Sequence, residues 1–184
     1  MELQFCKSRI PGLAKQFCEH FEKRFPKQAE REQKLIDMRD EVSEQKYLTK
    51  NILRETATWK SKRRVALIED NSENDVREIT GYALQSENER VIWGVLTCLA
   101  GVGFPTATVI LHFFHKDPYP ILDWRAAESV GEKETYNYSL EFWQKYVTFC
   151  RNHAKSDTVE MPTFDQMRTL DRALWWNSKK DDEK

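Results

Sequence analysis

The sequence predicts an all-α fold, and three observations carry that prediction. Serine and threonine stand repeatedly just ahead of apolar residues spaced by three and four, the mark of capped amphipathic helices. Glycine and proline number only six each in 184 residues, too few for the many turns of an all-β chain. Only residues 119–122 read as extended, too short a stretch to build a sheet. A chain of this length can bury about 70% of its surface. The 10 Phe, 6 Tyr and 6 Trp supply the bulk for a core and argue against wholesale disorder.

Taken in order, Pro11 and Pro26 bracket a helix with Leu13, Phe17, Phe21 and Phe25 at steps of four. Residues 27–57 are dense in charge. Leu35, Met38 and Val42, then Leu48, Ile52 and Leu53, draw a thin buried stripe along an amphipathic helix. Residues 1–45 therefore read as a helical arm appended to a domain spanning 46–178, with a charged tail at 179–184. Ser72 caps a helix carrying Val76, Ile79, Ala83 and Leu84. Ser86-Glu-Asn-Glu89 reads as a capping box before Val91, Ile92, Val95, Leu96 and Leu99. Ser139 caps a helix with Leu140, Trp143, Tyr146, Val147 and Cys150 on one face, and Thr163-Phe-Asp-Gln166 is a further capping box.

Composition excludes several function classes. No run of about 18 apolar residues exists to span a membrane, and the N-terminus lacks the basic and apolar regions of a secretory signal. Cysteines at 6, 18, 98 and 150 contain no Cys-x-x-Cys, against a zinc knuckle or a cysteine-held iron–sulfur cluster. They read as idle thiols, and a cytoplasmic location is expected. His112 and His115 lack a third ligand at metal spacing and read as helix histidines. Net charge is −1, so overall charge gives no footprint for nucleic acid. Its distribution does: Lys60, Lys62, Arg63 and Arg64 follow Trp59, as a phosphate contact or as cations suited to a helix end.

Chemistry concentrates between Leu96 and Ser129. Gly101-Val-Gly103 separates two apolar helices. The first glycine can end a helix at positive φ. The second admits close approach, and the next helix aims its first N–H groups over the turn, a place for a phosphate. Leu99, Gly101, Val102, Gly103, Thr106, Ala107, Ile110 and Leu111 match the pattern of a helix-hairpin-helix motif. The following Asp117-Pro-Tyr-Pro-Ile-Leu-Asp123-Trp-Arg-Ala resembles the segment after the hairpin in base-excision DNA glycosylases of that superfamily. The resemblance covers about residues 59–135, chiefly its second half.

The resemblance implies a role for each matched position. In bifunctional members a lysine lies two residues after the second glycine and the catalytic aspartate eighteen further on. Here those positions are Pro105 and Asp123. Asp123 is the implied catalytic carboxylate, and the missing lysine implies hydrolysis without lyase chemistry. By itself, Asp123 also reads as a cap for a helix starting at Trp124. Phosphate contacts fall to Gly101, Gly103, Phe104, Thr106, Lys60, Lys62, Arg63, Arg64 and Arg125. Trp59, Tyr119 and Trp124 are candidates for the pocket of an extruded base. No cofactor is required. The superfamily's monovalent cation would take the carbonyls of Thr97, Leu99 and Val102. The expected partner is duplex DNA, with no membrane and no specified protein. A silent DNA-binding module is the alternative, and a protein-interaction domain using residues 27–57 is a third. Which base is removed, in own-genome repair or in modified phage DNA, stays open.

Overall fold

A computed structural model describes residues 1–132, 138–155 and 163–179. Within them every regular element is a helix. The chain divides into two compact units. One is Lys27–Asp117, and the other joins Met1–Pro26 to Pro118–Lys184.

The continuous unit holds α2 (Pro26–Asp37), α3 (Arg39–Gln45), α4 (Lys50–Lys60), α5 (Val65–Ile68), α6 (Glu73–Gln85), α7 (Glu89–Leu96) and α8 (Phe104–Phe114). Helix α8 is its centre, packing against α3, α4 and α7. Every residue from Thr106 to Phe114 is buried, as expected of a helix apolar all round. The single amphipathic helix expected over 27–57 is three. Lys46 adopts a left-handed conformation (φ 67°) that ends α3, and the Thr49 hydroxyl accepts the Ile52 N–H to start α4.

The discontinuous unit holds α1 (Ile10–Arg24), α9 (Trp124–Glu128), α10 (Leu140–Ala154) and α11 (Phe164–Lys179). Helix α11 packs against α1, α9 and α10. Residues 1–45 are thus no appended arm, because the division falls at Pro26/Lys27. Phe17 and Phe21 set their rings edge-on to Trp175, 5.4 and 5.9 Å between centroids. That partner lies some 150 residues away, where local periodicity cannot reveal it. The expected tail lies, beyond Lys179, outside the described residues.

Capping shows how local signals build the helices. Ser72 accepts the Asp75 N–H at 3.1 Å and Ser139 accepts the Phe142 N–H at 3.1 Å. Thr163 and Gln166 form the reciprocal capping box. Ser86 does not cap α7. Asn88 takes that place, its side chain accepting the Arg90 and Val91 N–H groups, while Ser86 ends α6. Two capping residues compete there, and the one nearer Val91 wins.

Candidate functional site

The hairpin turn lies in the continuous unit, between α7 and α8. Gly101 has φ 78°, a left-handed conformation that favours glycine. Space demands glycine as well. A Cβ there would come within 2.9 Å of Ile68 Cδ1, 3.0 Å of the Arg64 carbonyl oxygen and 3.1 Å of Leu67 Cβ. The turn is therefore pressed against the 3-10 turn Lys62–Arg64 and α5. Gly103 caps α8 with extended backbone. The Arg64 guanidinium lies flat over it: a Cβ on Gly103 would sit 3.4 to 3.7 Å from Nη1, Cζ and Nη2.

Lys62, Arg63 and Arg64 are all exposed, and no carboxylate among the described residues pairs with them. The structure thus joins two sequence features that lie some forty residues apart, the basic run and the Gly-Val-Gly turn. Lys60 ends α4 just ahead of them. Phe104, half-buried, packs its ring on Trp93.

One expectation at this turn needs correction. Thr106 does not face a phosphate. It is 2% exposed, and its N–H and that of Ala107 both bond the Gly103 carbonyl at 3.0 Å. Pro105 has no N–H to offer. The charge at this turn comes from Arg64, and the first turn of α8 adds less than the sequence suggested. For the cation carbonyls, Leu99 already accepts the Val102 N–H at 3.0 Å, so the turn closes on a protein hydrogen bond. The Thr97, Leu99 and Val102 carbonyls are the oxygen donors that hard cations take.

Sequence reasoning missed Asn71. It is 7% exposed. Its Oδ1 accepts the Ala100 N–H at 2.8 Å, and its Nδ2 donates to the carbonyls of Ala100 and Ile68, each at 3.0 Å. Glu69-Asp70-Asn71-Ser72 reads only as a loop, and no local signal marks a partner 29 residues on.

Asp123 lies in the other unit, half-exposed, at the head of α9. Its Oδ1 accepts the Arg125 N–H at 3.0 Å, the geometry of an N-cap. Trp124 beside it is 47% exposed. The Arg125 guanidinium stacks on the Trp124 ring at 4.1 Å and lies 5.4 Å from that of Trp175. Asp123, an open indole and a held cation thus share one short stretch.

Tyr119 is no pocket wall. It is 2% exposed, stacked on Trp143 at 5.6 Å with the Arg151 guanidinium 4.5 Å from its ring centre. Pro118 and Pro120 set an extended path that turns it into the core. Trp59 belongs to the hairpin unit, half-buried and edge-on to Phe113 at 5.5 Å, and its carbonyl accepts the Gln28 side-chain amide.

Other titratable groups are structural. His115 is buried. Its Nε2 donates to the Ser86 carbonyl at 3.1 Å and its Nδ1 accepts the Asp117 N–H at 2.9 Å, a pattern only the neutral ring makes. Burial pushes its pKa down. Burial pushes the Tyr146 hydroxyl and the Cys150 thiol up. A cavity of about 550 Å³ in the hairpin unit is lined by Arg39, Lys46 and Lys116 with Asp40. Lys46 follows the carboxyl end of α3 and Lys116 that of α8, and the Arg39 guanidinium donates to the Phe113 carbonyl at 2.9 Å, so these cations offset the dipoles of α3 and α8.

No protein-family model, no curated protein and no solved structure matches the chain. No helix among the described residues is long and apolar enough to cross a membrane.

Proposed function

We propose that the protein is a monofunctional DNA glycosylase. It would hydrolyse the N-glycosidic bond of a damaged, mismatched or modified base in duplex DNA and leave an abasic site. The observation that carries the reading is the hairpin turn, tight at Gly101 and overlaid at Gly103 by the Arg64 guanidinium. An exposed cation over a glycine suits a phosphodiester, which needs charge and close approach together. Asp123, at the matched distance along the chain, supplies the carboxylate the chemistry needs.

In that chemistry the bond from C1′ to the base breaks, and its electron pair leaves with the base. Positive charge builds on the sugar, and the Asp123 carboxylate stabilises it. Water adds to C1′ and gives its proton to the carboxylate. Trp124 offers a face for the extruded base. A monovalent cation on the hairpin carbonyls would add charge beside the phosphate, and no step here depends on it.

Incubation with panels of lesion-bearing and modified phage DNA, followed by alkali, tests the proposal. Strand cuts only after alkali, with no borohydride-trapped adduct, are expected. Pro105 offers no amine, and Lys116 lies beyond the end of α8, its ammonium paired with Glu87 at 2.6 Å. Absence of alkali-labile sites on every DNA would remove the enzymatic reading. A second reading, a non-catalytic hairpin module that grips DNA, is favoured by one observation: capping α9 accounts for Asp123 without any chemistry. Binding without abasic sites would select it.

A further inference from the structure

We propose that Asn71 is a positioning residue for nucleic-acid binding, latching the hairpin turn onto the basic turn so that both face one phosphodiester. The proposal rests on the DNA reading above and deepens it. All of the Asn71 amide's bonds run to the backbone of two residues. Ala100 is held through its N–H and its carbonyl at once, and Ile68 through its carbonyl. Ala100 immediately precedes Gly101, the residue that turns the chain. Rotating the turn away would break both Ala100 bonds together and leave buried amide groups without partners, which is costly.

The other end of the latch is equally fixed. Between Arg64 and Asn71 the chain is one tight stretch. It contains α5 and closes with bonds from the Glu69, Asp70 and Asn71 N–H groups to the Ala66, Leu67 and Ile68 carbonyls, at 3.3, 3.3 and 3.2 Å. Asn71 therefore sets where Arg64 stands relative to Gly103, although it touches neither. Gly101 completes the fit, because its missing Cβ is what lets the Arg64 carbonyl and Ile68 come so close. The side chain that carries the charge and the side chain that aims it are thus seven residues apart in sequence.

A purely structural asparagine would lower stability and leave the Arg64 contribution to binding intact. A latch would not, so the two residues should be coupled. The experiment measures affinity for a plain duplex over a range of NaCl for the wild type, Arg64→Ala, Asn71→Ala and the double variant, with thermal melting of each.

Each single change is expected to flatten the slope of log affinity against log salt by about 0.9, one phosphate contact. The double variant should bind no worse than Asn71→Ala alone. Losses that multiply, or a wild-type salt slope in folded Asn71→Ala, would overturn the latch while leaving DNA binding standing. No binding by the wild type would overturn the DNA reading and the latch with it. If Asn71→Ala does not fold, Asn71→Asp completes the same cycle. Its carboxylate keeps the Ala100 N–H but faces the Ala100 and Ile68 carbonyls.

Discussion

The two units carry different halves of the proposed function and are built in different ways. The hairpin unit is a single run of chain, Lys27–Asp117, wrapped on one apolar helix. Its charge stands on short turns that protein hydrogen bonds hold in place. The unit bearing Asp123 is assembled from both ends of the chain, with α1 and α11 meeting across nearly the whole sequence. Its candidate group is a single carboxylate on a five-residue helix, steadied by a cation stacked on tryptophan. Gripping a backbone needs a rigid edge and positive charge, which a continuous unit can provide locally. Placing one carboxylate needs support from a core, and here that core is drawn from distant segments.

The largest expected effect breaks the Asp123 half alone. Asp123→Asn is expected to lower base release by more than about a hundredfold, the scale of losing a transition-state charge partner. Stability should change little, because asparagine caps a helix as well as aspartate does. Duplex affinity should be retained. Alkali-cleavage rates measured beside a thermal melt check both statements. Unchanged activity would reduce Asp123 to a cap.

Gly103→Glu breaks the other half. The new side chain starts 3.4 Å from the Arg64 guanidinium, so its carboxylate can pair with that cation and repel phosphate. A loss of roughly tenfold or more in affinity for any duplex is expected, together with a shallower salt slope. Arg64 is the flexible end of a long side chain and can shift, so the fold should survive. Fluorescence anisotropy over a salt series reads the outcome. Intact affinity would move the grip away from the hairpin.

Cysteine chemistry compares the units with no mutation at all. Cys98 is exposed, two residues before Ala100, whereas Cys150 is buried with its thiol pKa pushed up. Cys6 is also exposed, and a hydrogen bond from Ser8 lowers its pKa. Thiolates are the reactive form, so iodoacetamide is expected to label Cys6 and Cys98 readily and Cys150 only on unfolding. Duplex DNA should slow labelling at Cys98 several-fold if it covers the turn. Peptide mass mapping with and without DNA decides this.

What the sequence makes legible follows the same division. The caps at Ser72, Ser139 and Thr163 are readable because donor and acceptor lie within four residues. The Gly-Val-Gly turn is readable because its demand for positive φ is local. Asn71 and the approach of Arg64 to Gly103 are not, since each depends on a contact 29 or more residues away. Tyr119 misleads for a related reason. An aromatic between two prolines looks like an exposed loop residue, and only Trp143 and Arg151, further along the chain, make it core. The placement of α1 is hidden likewise, its phenylalanine spacing announcing a buried face without naming α11 as the surface that buries it.

The smallest expected effect comes from acid, and it too separates the units. Burial favours the neutral form of every titratable group, but the direction of the shift depends on the group. In the Asp123 unit it raises Tyr146 and Cys150, away from neutrality, so neither titrates between pH 5 and 8. In the hairpin unit it lowers His115, whose unfolded form titrates near 6.5. Above that pH neither the folded nor the unfolded chain holds the proton, and His115 adds no pH dependence. As the pH falls below it, the unfolded chain takes up the proton first. Stability is then lost until the pH passes the lowered folded value. The neutral ring's acceptor bond from the Asp117 N–H is what protonation would break. Melting temperatures measured from pH 8 to pH 5 should therefore fall more steeply for the wild type than for His115→Gln, which has no proton to take up at that position. Parallel curves would show that His115 is not the group through which acid loosens the hairpin unit.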